Sequence, residues 1–153
     1  QSTLDQAIVY ILQLRLYQVA GRYEEALTLG LEALEVFGVR FPETEAQLQA
    51  AIEREKNHAM VNLDDRSISS LIDAPVIQDP TLKVLIGLLT ALGPITYLCK
   101  PSVFPLIVLT ALNHSLKYGN TEDSCFAYSM YAMLLVSIFS DVSTGYAFSE
   151  MSI

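Results

Sequence analysis

The chain has 153 residues, 52% of them apolar and only 17% charged, so much of it must pack against protein rather than water. One compact domain of this length can bury roughly 70% of the surface its unfolded chain exposes, and size alone demands no disulfide or metal staple. A net charge of -8 and a pI near 4.6 set a repulsive field against phosphate backbones and anionic lipid, which argues against nucleic acid as a partner.

Residues 4–19 carry Ala7, Ile8, Ile11, Leu12, Leu14, Leu16 and Val19, a density that suits a helix packed on two sides. Ala20-Gly21-Arg22 breaks it, and residues 23–37 resume the helical period, with Glu24 and Glu25 in a first turn where the dipole favours anions. Two helices with so short a joint must run antiparallel. Gly38 is a C-terminal stop followed by Pro42. Residues 43–62 predict a more polar helix in which Glu53, Arg54, Glu55 and Lys56 form a solvated face.

Residues 64–80 hold two prolines and four aspartates around short apolar pieces, which predicts a long connector with a helical turn or two and marks an internal boundary. A helix over 81–100 follows, with Gly93-Pro94 expected to kink or loosen it. Pro101-Ser102 starts the next, with Ser102 as cap and Pro105 in the first turn, and Gly119-Asn120 ends it. Residues 121–139 form a further helix with Glu122 and Asp123 in its first turn, residues 140–143 a turn, and residues 144–153 a last helix. No strand period is sustained. The fold class expected is all-α, with antiparallel helical hairpins stacked as one domain: residues 1–63 a hairpin plus polar helix, 64–80 the connector, 81–153 a helical array.

The strongest membrane candidate is residues 82–99, but Lys83, Gly87, Gly93 and Pro94 interrupt it, and a buried core helix is the better expectation. Residues 1–14 have no basic leader or cleavage site, and Ile153 closes an apolar segment without a cap, so the chain reads as a cytoplasmic piece of something longer. Cys99 and Cys125 lie in apolar runs without CxxC or Cys/His spacing and read as reduced core residues, with one disulfide as the alternative.

His58 reads as a surface residue and His114 as a semi-buried, hydrogen-bonded one; neither has a second ligand at three or four residues to complete a metal face. The acidic pairs have a helix-dipole explanation that outweighs general acid/base work. No phosphate loop, nucleophile elbow or kinase catalytic segment occurs, so no cofactor, metal or catalytic residue is expected. Tyrosines crowd the second half, and Tyr97, Tyr118, Tyr128 and Tyr131 are the candidates for a protein-binding surface, against the competing expectation of inter-helix packing.

Tyr10, Tyr17, Gly21, Tyr23, Ala26 and Ala33 stand at the spacings of the aromatic, glycine and alanine positions of a tetratricopeptide repeat. The first 40 residues resemble that family. They depart from it at Leu14, where a small residue is usual, at Gly30, where a bulky one is usual, and at Gly38, where proline is usual. The resemblance implies an α-α superhelix.

From about Ala20 onward, the stretches Leu71-Ile72-Asp73-Ala74-Pro75, Asp79-Pro80, Phe104-Pro105-Leu106-Ile107-Val108-Leu109 and Ser115-Leu116-Lys117-Tyr118-Gly119-Asn120 also resemble the helical region of large multi-sensor signalling kinases of cyanobacterial type, as do Ser124, Tyr128, Tyr131, Gly145 and Phe148. That resemblance implies a parent protein that joins a serine/threonine kinase-like domain, an ATPase, a sensor and a histidine kinase. This segment would couple those domains, its partners being other domains of the parent chain or another protein. An independent peptide-binding scaffold is the alternative, and a helical enzyme a third.

Overall fold

The computed structural model describes residues 3–153; Gln1 and Ser2, which open the expected unit 1–63, lie outside the described residues. The described chain is all-helical: α1 (Thr3–Val19), α2 (Tyr23–Val36), α3 (Glu45–Leu63), α4 (Pro80–Cys99), α5 (Phe104–Tyr118), α6 (Ser124–Ser137) and α7 (Val142–Met151), with a 3-10 segment, Ile68–Asp73, in the connector.

Local chemistry explains most of the boundaries. After α1, Gly21 (φ 71°) lets its N–H reach Gln18 O and the N–H of Arg22 reach Tyr17 O at 2.8 Å; after α2, Gly38 (φ 75°) and Val39 repeat the arrangement on Glu35 O and Leu34 O. This paired closure satisfies carbonyls that the helix end leaves free. Asp79 caps α4 by accepting from the N–H groups of Thr81 and Leu82, and Asp141 caps α7 by accepting from Thr144 N–H at 3.1 Å. α4 runs through Gly93-Pro94 without a break.

Two expected starts are corrected. Ser102 does not cap α5, which begins at Phe104 after Val103 with no side-chain cap. Glu122 and Asp123 precede α6 instead of filling its first turn, because the Ser124 hydroxyl takes the Thr121 N–H at 2.8 Å and folds residues 121–123 into a turn.

α4 is the organising helix: α1, α2, α5 and α6 all pack on it. α3 steps out of sequence order and packs on α5, while α7 packs on α6 and on the 3-10 segment. One cluster of buried side chains runs from Leu14 to Met151 and draws on every α-helix, so the halves on either side of the connector share a core. The density of α1 suited a helix packed on two sides. α2 and α4 cover only one, and Ile8, Leu12, Leu16 and Val19 form an exposed stripe on the other.

Polar groups fix the α3–α5 contact. Asn113, buried on α5, donates to Glu55 O (2.8 Å) and Glu55 Oε2 (2.9 Å) and accepts from Asn62 Nδ2 (3.0 Å). Glu55 therefore belongs to the interface rather than to a solvated face, and the ammonium of Lys56 lies 4.6 Å from the ring centroid of Phe139. The connector is equally tied down. Ile77 N–H donates to Asn120 O, Asn120 N–H donates to Pro75 O, and the Asn120 side chain donates to Leu71 O at 2.7 Å while accepting from the Tyr128 hydroxyl at 2.8 Å.

Candidate functional site: an apolar groove along α6

From Ser124 to Ser140 no residue is charged, and α6 within that run carries apolar side chains on every face with only serines among them as small polar breaks. A helix of this kind is stable in water only if most of its surface is covered. The core covers one side through Ala127, Tyr128, Tyr131, Leu134 and Leu135. Phe126, Met133 and Val136 point the other way and are exposed.

These residues form the wall of a groove against the end of α4. A hollow of about 410 Å³ is lined by Pro94, Tyr97, Leu98, Phe104, Phe126, Ser129, Met130 and Met133. A second of about 330 Å³ shares Ser129 and Met133 and continues between α6 and α7 past Val136, Val142 and Tyr146. Gly145 lets α7 close on α6, since a Cβ there would come within 2.7 Å of Val136 Cγ2. The strip from Phe126 to Val136 covers eleven residues of helix, a rise of about 15 Å.

The groove's other end is polar. Arg15, Gln18, Gly87, Thr90 and Asp123 join Pro94 and Phe126 around a hollow of about 230 Å³. Burial pushes the Asp123 carboxyl above the usual carboxylate range, against the opposing pull of Arg15. Among the described residues no hydrogen bond or ion pair within 4 Å holds that carboxylate.

The four tyrosines expected at a binding surface do not come together. Tyr97 is 54% exposed and lines the groove, its ring set edge-on to Phe104 with centroids 5.3 Å apart. Tyr118 is exposed at the end of α5, beside His114 and Lys117, and does not line the groove. Tyr128 and Tyr131 are only 2% and 6% exposed, which corrects their placement on a surface: both pack on Phe148 of α7, Tyr131 edge-on at 5.0 Å. Burial pushes the Tyr128 hydroxyl up to about 12, so it stays protonated and keeps its bond to Asn120. Sequence reasoning missed Phe126, Met133 and Val136. Their signal was the uncharged run itself, longer than one core face can cover.

The remaining reactive side chains are dispersed. Cys125 is exposed, which corrects its expected place in the core, and Cys99 is half-buried, its thiol pushed up by burial; both are free. His58 is exposed with Nδ1 3.5 Å from Glu55, and His114 Nδ1 lies 2.8 Å from Thr110 O. No three His, Cys, Asp or Glu among the described residues are grouped to hold a metal ion. By length and composition α4 could cross a membrane, and half of its most apolar window is buried among the other helices. Set against known proteins, the chain matches no family model, no curated protein and no solved structure.

Proposed function

We propose that this chain is a non-catalytic protein-interaction module of the tetratricopeptide-like kind, working within a larger signalling kinase as a coupler between its domains. The observation that carries the interaction role is the row of exposed Tyr97, Leu98, Phe126, Met133, Val136 and Tyr146 along two adjoining hollows, an apolar patch of the sort that marks binding surfaces. Its aromatic and methionine content suits a groove that accepts a partner's side chains.

The repeat-like character is supported by the α1–α2 hairpin, where Gly21 makes the tight turn and Ala26 and Ala33 are wholly buried. The coupling role is supported by the stretches that resemble the kinase helical regions. It is also supported by α4, which contacts helices from both halves, so that a shift at one end is felt at the other.

Translating the coding DNA on both sides of this segment tests the coupling role: kinase and ATPase motifs upstream are expected. A stop codon close by would favour the independent peptide-binding scaffold, for which the self-contained groove is the specific support. Purified chain is expected to neither hydrolyse ATP nor transfer phosphate, and turnover above a blank would contradict the non-catalytic reading.

A further inference from the structure

The two charged side chains that line the groove both fall at its polar end, since no charged residue lines either of the larger apolar hollows. At the hollow of about 230 Å³, Arg15 comes from α1 and Asp123 from the turn before α6, while α4 supplies Gly87, Thr90, Ala91 and Pro94.

Asp123 is seated there without being bound. Its Oδ2 lies 3.0 Å from where a Cβ on Gly87 would stand, so the missing side chain lets the carboxylate rest on α4. Burial pushes its pKa up, Arg15 draws it down and Glu122 adds a lesser upward push, yet among the described residues no hydrogen bond or ion pair within 4 Å reaches the carboxylate. The Arg15 guanidinium is likewise without a hydrogen bond or an ion pair within 4 Å among the described residues. Pro94 adds a third unmet group. It has no N–H, so the Thr90 carbonyl lacks the donor that the fourth residue on supplies elsewhere in a helix.

The lining carries one charge of each sign, so an anion alone would face Asp123 and a cation alone would face Arg15. A peptide holds its terminal charges at opposite ends, whereas a free amino acid holds both on one carbon. The hollow is smaller than the roughly 300 Å³ at which pockets for drug-sized ligands begin, which fits a molecule of that size. Ala91, Pro94 and Phe126 make the rest of the lining apolar.

We infer that this hollow binds a free α-amino acid with an apolar side chain, its carboxylate on Arg15, its ammonium on Asp123 and the Thr90 carbonyl, and its side chain against Pro94 and Phe126. Both polar ends of the ligand then make charge-assisted hydrogen bonds that the empty hollow leaves unmade. The site goes beyond the interaction role proposed above and does not rest on it.

The test is titration of ¹⁵N-labelled chain with L-leucine and L-phenylalanine, against N-acetyl-L-leucine, which lacks the ammonium, and L-leucinamide, which lacks the carboxylate. Both free amino acids are expected to give saturable shifts at Arg15, Gln18, Thr90, Ala91 and Asp123. Each blocked compound is expected to bind about tenfold or more weakly than L-leucine, and so is L-leucine itself to Arg15→Gln and to Asp123→Asn. Circular dichroism checks that the variants fold, and the blocked compounds probe the same two contacts without a mutation.

Absence of a saturable shift with both amino acids up to about 20 mM would overturn the inference, as would shifts that spare the hollow. Equal affinity for leucine and its blocked forms, or variants that leave leucine affinity unchanged, would overturn the placement of its charges on Arg15 and Asp123. Leucyl-leucine binding more tightly than leucine would replace the free amino acid with a peptide end.

Discussion

Gly119→Ala is expected to destabilise the chain by about 3–4 kcal/mol, lowering the melting temperature by roughly 10 °C. Gly119 adopts φ 113° and ψ -171°, a region that is open to glycine almost alone and costs other residues about 1–3 kcal/mol. Strain is half of the cost. A Cβ would also overlap Pro75 O and come within 3.1 Å of its carbonyl carbon, at the point where Asn120 N–H donates to that oxygen. The connector would have to lift off the α5–α6 corner, giving up that hydrogen bond and straining those of Asn120 with Leu71 and Tyr128. Gly38→Ala is the control, because Gly38 also has positive φ but nothing within 4 Å of its added Cβ, and about 1 kcal/mol is expected. Denaturant melts of the two variants measure the difference. Equal losses would mean that the connector is not held at Gly119.

Gly30→Leu is expected to cost about 3 kcal/mol although it brings the sequence closer to the tetratricopeptide pattern. On an uncovered helix face the same change would gain about 0.8 kcal/mol from helix propensity, so the sign of the effect is informative. Gly30 is where α2 meets α4: a Cβ would overlap Leu92 Cδ2 and lie 2.9 Å from Leu92 Cγ and 3.0 Å from Leu14 Cδ1. Leu14 and Leu92 are both fully buried and have no free space to turn into. The departures from the repeat at Leu14 and Gly30 are thus one feature, a large side chain on α1 and an absent one on α2, both shaped by α4. A stabilised Gly30→Leu, read by thermal melting, would contradict the close approach of α2 and α4.

The helices themselves were legible in the sequence because glycines and prolines punctuate them. Gly21, Gly38 and Gly119 all fall at ends, and the α1–α2 hairpin, the 3-10 segment and α4 lie where periodicity and caps put them. Long-range pairing was not legible. Nothing local in Asn113 says that it bonds Glu55 and Asn62, or that α3 skips α4 to reach α5. The candidate site failed in the sequence for a related reason. In α6 every face carries apolar side chains, so periodicity cannot separate Tyr128 and Tyr131, which meet Phe148, from Phe126 and Met133, which meet solvent. Of the four tyrosines singled out, only Tyr97 reached the groove, because it sits on the end of α4 that α6 leaves uncovered.

The outward face of α6 as the docking surface is the central claim, and chemical-shift mapping tests it most directly. Uniformly ¹⁵N-labelled chain would be titrated with a helical peptide that carries Leu and Phe anchors along one face. The largest shifts are expected at Tyr97, Leu98, Phe126, Met133, Val136 and Tyr146, with the α1 stripe of Ile8, Leu12 and Leu16 unmoved. Shifts that cluster on α1 or on the exposed side of α3, with α6 silent, would contradict it.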